Sequence, residues 1–270
     1  NYSLYAHYNF YFFKRNIQLR VGQGIAYTSN PYDKTTNFRN NAYGSDFLSS
    51  TYLMFNYHKE NIFKGLGFKA GISIIHYSNA NFRAPNTSTN TMALNAGLVY
   101  DLDGGTEIEY IHREKEMVTE PLRYNFAIRT GLNESDVINS GQYGFVVLST
   151  YADKRLGRKS AIQIGADVYF SNFLKELIRY QSIAFPENNV AADDDYKRVG
   201  IFVGHELFIN KMSIISQLGY YVYYPFDFEG RMYNRMGLKR YFGDNVYGAI
   251  TLKSHGAKAE AVELGVGIRL

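Results

Sequence analysis

The feature that most constrains the fold of this chain is the alternation of apolar and other residues over segments of about ten residues. The C-terminal segment shows it from end to end. Its apolar face comprises Val262, Leu264, Val266, Ile268 and Leu270, and its second face comprises Glu263, Gly265, Gly267 and Arg269. Because successive side chains of a strand point to opposite faces, the pattern predicts strands with one apolar and one polar face.

The same alternation recurs along the whole chain and predicts thirteen strands. They span residues 2–13, 15–29, 48–57, 65–78, 90–101, 121–132, 141–154, 158–171, 196–209, 211–224, 231–242, 244–254 and 258–270. Such segments have the length of a tilted strand that crosses a bilayer, and bacterial barrels have even strand numbers. We therefore predict an all-β fold, a transmembrane antiparallel up-and-down β-barrel of about 12–14 strands, that fills residues 1–270 as a single domain.

The composition fits this fold and excludes several other classes of protein. Tyr (25), Phe (19) and Gly (24) are abundant, whereas Pro (5), Cys (0) and Trp (0) are scarce, as in aromatic-rich strands joined by turns. The mean hydropathy of −0.29 suits a barrel, since only every second residue faces lipid. A net charge of +4 without a long basic block argues against nucleic acid as a partner. Without Cys there is no thiolate metal site, and we expect neither metal nor cofactor.

The connections between the predicted strands differ in length. Lys14, Asn210 and Gly243 lie in tight turns, and residues 172–181 have the pattern of a short amphipathic helix. The long polar connections are 30–47, 79–89, 102–120 and 172–195. Short turns on one side and long loops on the other are typical of barrels in the bacterial outer membrane, where we expect this chain. A soluble β-sandwich or lipocalin-like barrel also alternates and is the competing fold.

Two polar side chains, His76 and Ser78, stand at the end of the apolar segment 66–75. They share parity with its apolar residues, so both are expected to project from the lipid-facing side. Residues two apart on a strand have Cα atoms about 6 to 7 Å apart, which lets an imidazole take the proton of a serine hydroxyl. The pair has the composition of a nucleophile and its base, but taken alone it fits two ordinary polar residues among lipid headgroups better.

The longer string HYSNANFRAPNTSTN, residues 76–90, resembles the signature of the PagL-type lipid A deacylase and acyloxyacyl hydrolase-like family of the outer membrane. Four further segments are similar to longer members of that family found in Bacteroidota. They are NNAYGSDF (40–47), YKRVGIFVGHELF (196–208), SQLGYYVYYP (216–225) and LKSHGAKAEAVELGVGIRL (252–270). The resemblance thus covers most of the chain.

The resemblance implies a serine esterase that removes an acyl chain from lipid A at a site on the outside of the barrel wall. It implies that Ser78 is the nucleophile, His76 the general base, and Asn79 part of the oxyanion hole, with Asn86 shaping the neighbouring loop. Asn90 occupies the position of the third triad member. The implied partners are lipid A or lipopolysaccharide and other outer-membrane lipids, and other outer-membrane proteins are further candidates.

Three positions depart from the family pattern. Asn90 stands where the family has an acid, Asn81 where it prefers a small residue such as Gly, and 87–89 where a Gly-containing turn is usual. Asn can orient an imidazole by hydrogen bonding but adds no charge to stabilise the imidazolium. The leading hypothesis is a lipid A acyl-ester hydrolase. The alternatives are a catalytically inactive member that serves as a structural or accessory subunit of an outer-membrane complex, and a passive pore.

Overall fold

The computed structural model describes residues 1–102, 118, 120–256 and 258–270, and these residues form an all-β protein with thirteen strands. The strands are β1 Tyr2–Phe12, β2 Ile17–Tyr27, β3 Phe47–Phe63, β4 Leu66–Ser78, β5 Thr89–Tyr100, β6 Arg123–Asn133, β7 Tyr143–Gly157, β8 Ser160–Ser171, β9 Arg198–Ile209, β10 Met212–Tyr223, β11 Met232–Phe242, β12 Val246–His255 and β13 Lys258–Arg269. Each predicted strand is present at its expected place. The boundaries differ from the predicted ones by no more than three residues, except that β3 continues beyond residue 57 to Phe63.

The strands are antiparallel throughout and divide between two sheets. Strands β1 to β5 form a five-stranded sheet in sequence order, and β6 to β13 close into a barrel of eight strands. The chain correspondingly separates into two compact units, and the second unit also contains the segment Ala80–Ala84. The antiparallel β-barrel is therefore confirmed, but its closed wall has eight strands and not the predicted 12–14, because β1 to β5 form a separate sheet. A single domain over residues 1–270 stays a prediction.

The tight turns lie where they were expected. Lys14 has φ +53°, Asn210 φ +57° and Gly243 φ +77°, all in the left-handed region that tight hairpin turns require. The predicted helix is α1, Asn172–Ala184, and a 3-10 helix follows at Pro186–Asn188. Over the described ranges, no helix is both long enough and apolar enough to span a membrane.

The eight-stranded barrel is apolar outside and charged inside. Outward side chains such as Ile164 are exposed, whereas Arg235 lies in the interior and is fully buried. Its guanidinium contacts Asp167 at 2.8 Å and Glu263 at 2.6 Å. An eight-stranded barrel is just wide enough for its interior to be filled by side chains. The interior of this unit is accordingly packed with ion pairs, which argues against a passive pore.

Similar ion pairs continue along the barrel interior. Within the described chain they include Arg198–Glu260, Lys253–Glu260, Lys239–Glu206 and Arg269–Asp153. Buried charges are tolerated only when they are paired and hydrogen-bonded. This explains why a charged residue such as Asp167, in the middle of β8, points into the barrel. Each strand places charged or polar side chains beside partners on other strands.

Candidate functional site

The outer face of the five-stranded sheet is largely apolar and contains one cluster of six polar side chains. Cross-strand register assigns to this face residues that alternate along each strand, among them Leu19, Leu53, Ile72 and Leu94. Its polar members other than tyrosine are Lys59, opposite Phe68 towards the other end of the sheet, and a cluster of Gln23, Ser49, Thr51, His76, Ser78 and Asn90. All six come from adjacent register positions on β2 to β5. The cluster includes three of the five residues that the sequence singled out.

His76 and Asn90 are directly opposite each other on β4 and β5. The His76 Nδ1 atom lies 2.8 Å from Asn90 Oδ1. Because an amide oxygen only accepts, this contact requires the imidazole to carry its proton on Nδ1. Nε2 then keeps a lone pair, which is the form a general base needs. His76 is half-buried.

Ser78, Asn79 and Asn86 form a second group beside the histidine. The Ser78 hydroxyl donates to Asn86 Oδ1 at 3.1 Å, and the Asn79 backbone N–H donates to the same oxygen at 2.9 Å. Ser78 and Asn79 are buried. A carbonyl-type oxygen therefore sits within hydrogen-bond distance of both the predicted nucleophile and a backbone donor, which is the geometry required of an acyl carbonyl in such a site.

Two of the three departures from the family pattern, Asn81 and the 87–89 turn, involve residues with left-handed backbone. Asn81 has φ +57°, Ser88 has φ +59° and Ala80 has φ +56°. Glycine adopts this region without penalty, and Asn tolerates it better than other residues. The backbone thus adopts a glycine-like conformation at both places where the family prefers a small residue or Gly. The substitutions change the conformational free energy that this backbone shape costs, but the shape itself is retained.

The loop after Asn86 is braced by the upstream segment 40–47. Thr87 N and Oγ1 both donate to the carbonyl of Asn41, at 3.1 and 2.9 Å, and Ser88 N donates to the carbonyl of Ala42 at 3.3 Å. The hydroxyl groups of Tyr43 and Thr89 also contact each other. These bonds give the NNAYGSDF segment a structural role: it supports the loop that leads into β5 and Asn90.

Within the second unit, Glu134 holds the segment Ala80–Ala84. Its carboxylate accepts from the backbone N–H of Ala84 at 2.9 Å and of Gly141 at 3.2 Å. Its own N–H donates to the carbonyl of Asn81 at 2.9 Å. Glu134 is buried, so these charge-assisted bonds are protected from water. The sequence analysis missed this residue, because Glu134 lies in the loop after β6 and carries no local signal.

Three members of the polar cluster, Gln23, Ser49 and Thr51, were also missed from the sequence. Thr51 Oγ1 donates to Gln23 Oε1 at 2.6 Å, and Gln23 Nε2 donates to Ser49 Oγ at 2.9 Å. The sequence does contain a signal, because these three polar residues stand at positions of β2 and β3 where the alternation predicts apolar ones. Only the register brings these interruptions beside His76 and Ser78.

A second serine and histidine contact each other on the barrel. Ser160 Oγ lies 2.6 Å from His205 Nε2, and both residues lie at one end of the β8–β9 pair. No described residue is seen to orient His205 through its other nitrogen. Nor do the described parts of the chain contain a group of three His, Cys, Asp or Glu side chains arranged to hold a metal.

Fold and site together define an antiparallel β-barrel protein that carries a serine, a histidine and an asparagine side by side on an outer sheet face. Two family models match the chain, lipid A 3-O-deacylase (PagL) over residues 1–99 and the acyloxyacyl hydrolase C-terminal domain over residues 122–270. The chain belongs to the PagL lipid A deacylase family, as its motifs predicted. The two matched ranges correspond to the five-stranded sheet and to the barrel.

Comparisons with individual proteins add little. A search of curated proteins finds no match. Two solved structures of mutant porins from Rhodopseudomonas blastica are similar to the chain at 9% and 6% identity. They cover 94% and 99% of this chain and 100% and 89% of their own, with TM-scores of 0.20 and 0.22. At such TM-scores the likeness carries no argument.

Proposed function

We propose that this chain is an outer-membrane hydrolase that removes an ester-linked acyl chain from lipid A, with Ser78 as nucleophile, His76 as general base and Asn90 as the group that orients His76. The observation that carries the proposal is the 2.8 Å contact between His76 Nδ1 and Asn90 Oδ1 on the face shared with Ser78. It leaves Nε2 as the proton acceptor. Family membership supports lipid A as the substrate.

The chemistry follows the two steps of serine esterases. His76 Nε2 takes the Ser78 hydroxyl proton while Oγ attacks the ester carbonyl carbon, and collapse of the tetrahedral intermediate releases the alcohol of the lipid, which receives that proton. Water then gives a proton to His76 and its oxygen attacks the acyl carbon. The fatty acid leaves, and its bond to Ser78 is replaced by the returning proton.

Before attack, the Ser78 hydroxyl must redirect its single proton from Asn86 to His76. We propose that the substrate carbonyl replaces Asn86 Oδ1, which now accepts from both Ser78 and Asn79. The carbonyl oxygen would then receive the Asn79 N–H as negative charge develops on it. A donor of this kind contributes about 3 to 4 kcal/mol to the transition state.

An outer-membrane location is part of the proposal. The outer faces of both units expose apolar side chains, for example Leu94 at 88% and Ile164 at 64%. Large exposed apolar surfaces require a non-aqueous partner, and on a barrel wall that partner is lipid. A site on this face meets acyl chains without lifting them out of the bilayer.

The test is mass spectrometry of lipid A after incubation with the purified protein and with a Ser78→Ala variant. We expect the wild type to release one acyl chain and Ser78→Ala to release none. Ser160→Ala is the matched control, since Ser160 also contacts a histidine; it should retain full activity. If the wild type leaves lipid A unchanged under conditions where an established deacylase works, the proposed function is rejected and the accessory-subunit alternative is favoured.

A further inference from the structure

We infer that Gln23, Ser49 and Thr51 form a recognition strip for a neutral, hydroxylated group of the substrate, namely the sugar to which the scissile ester is attached. The inference rests on the proposed function and extends it to substrate selection. The strip shares the sheet face of His76 and Ser78. Gln23 is exposed, and Ser49 and Thr51 are half-buried.

The strip lies with His76, Ser78 and Asn90 on a face that is largely apolar. Gln23 and Thr51 are paired across β2 and β3, and the next pairs on the same face include Leu53 and Ile74. The side chains of Leu53 and Ile74 are 46% and 37% exposed. A polar side chain on a lipid-facing strand costs free energy that an apolar residue would not. Three such residues side by side, beside the predicted catalytic pair, indicate a function that offsets this cost.

The hydrogen bonds within the strip have a direction. Thr51 donates to Gln23 and Gln23 donates to Ser49, at 2.6 and 2.9 Å. In the described chain the Ser49 hydroxyl proton and the remaining lone pairs of Thr51 Oγ1 have no further hydrogen-bond partner. The strip thus offers a donor at one end and an acceptor at the other. An alcohol group, which both donates and accepts, matches this arrangement.

The register locates these two ends beside the reacting groups. Ser49 is opposite Ser78, and Thr51 is opposite His76. Opposed residues of an antiparallel pair have Cβ atoms about 4.5 to 5.5 Å apart, so a group bonded to the strip lies one strand away from the ester. The strip itself contains no charged side chain, which favours a neutral sugar hydroxyl over a phosphate as its ligand.

The experiment compares two substrates that share the ester but differ in the sugar. Lipid A in detergent micelles and a p-nitrophenyl fatty-acid ester are hydrolysed by the wild type, Gln23→Leu and Thr51→Val. We expect the ratio of kcat/KM for lipid A to that for the p-nitrophenyl ester to fall about 3- to 10-fold in each variant, as for loss of one hydrogen bond. The loss should appear in the KM for lipid A rather than in kcat.

Thr150→Val is the matched control. Thr150 is exposed on β7 between Phe126 and Ala166, so the same substitution is made on another outer wall. An unaltered ratio of kcat/KM values in Gln23→Leu and Thr51→Val would overturn the inference, including the case in which both substrates lose equally. So would an equal change in Thr150→Val.

A binding measurement separates this inference from the proposed function. Native mass spectrometry counts the lipid A molecules that remain bound to the wild type, to the two strip variants and to Thr150→Val. This count does not depend on hydrolysis. If the wild type hydrolyses neither substrate, the proposed function fails. The strip is still supported if the two variants alone lose lipid A, and it is rejected if all four proteins retain equal amounts.

Discussion

Replacing Asn90 by Asp should increase the rate of ester hydrolysis. The substitution exchanges an amide nitrogen for an oxygen and keeps the shape of the side chain, so the contact with His76 Nδ1, 2.8 Å in the wild type, can persist. The carboxylate adds a negative charge beside the imidazolium that forms when His76 takes the Ser78 proton. It therefore stabilises the transition state more than the ground state, which is the condition for a higher kcat.

The size of the effect follows from the distance and the exposure. The charge centres of such a hydrogen-bonded pair lie about 4 Å apart, where two unit charges interact by about 1 kcal/mol in water and about 4 kcal/mol at an effective dielectric constant of about 20. Asn90 is exposed and His76 half-buried, so solvent screens much of the interaction. An intermediate gain of about 2 kcal/mol corresponds to about 30-fold in kcat.

The assay is the hydrolysis rate of a p-nitrophenyl fatty-acid ester as a function of pH. Asn90→Asp should raise kcat and move the acid limb of the profile to higher pH, because the carboxylate holds the proton on His76 more tightly. Asn210→Asp, in the turn between β9 and β10, adds the same charge elsewhere and should change neither. If Asn90→Asp and Asn90→Ala both hydrolyse the ester at the wild-type rate, Asn90 does not orient His76 and the triad is refuted.

Three further predictions concern stability. Ser88→Gly should raise the free energy of unfolding by about 0.5 to 1 kcal/mol, because glycine adopts the left-handed backbone of this position without strain. Ser182→Gly, in α1, should lower the free energy of unfolding by a similar amount. Both free energies are measured by urea titration. Arg235→Met should cost about 3 to 5 kcal/mol, measured as a lower Tm, because two buried carboxylates lose their partner; a wild-type Tm would contradict this. The pKa of Asp33 is held well below its usual value by hydrogen bonds from Thr35 and Thr36. Its stabilisation is therefore present above about pH 4 and lost as the pH falls. The protection factor of the Thr36 amide, which corrects for the pH dependence of intrinsic exchange, should fall on acidification in the wild type but not in Asp33→Asn.

Strand positions and side-chain parity could be predicted from the sequence because both are local properties. Alternation located all thirteen strands, and the spacing of His76 and Ser78 assigned them to one face with Ile72 and Ile74. In the structure, Asn90 and Met92 lie on this same face of β5. The motif string also identified the family, because its residues lie close together in the sequence.

The sequence alone could not predict how the strands associate. Closure of eight strands depends on the pairing of β13 with β6, two segments far apart along the chain. The placement of Gln23 and Thr51 beside His76 depends on the register of β2, β3 and β4, in which a shift of one residue would turn every side chain to the other face. The ion-pair partners inside the barrel and the contact between Ser78 and Asn86 have the same origin. Alternation determines which face a residue occupies, but hydrogen bonds between distant segments decide which residues become its neighbours, and the candidate site consists of such neighbours.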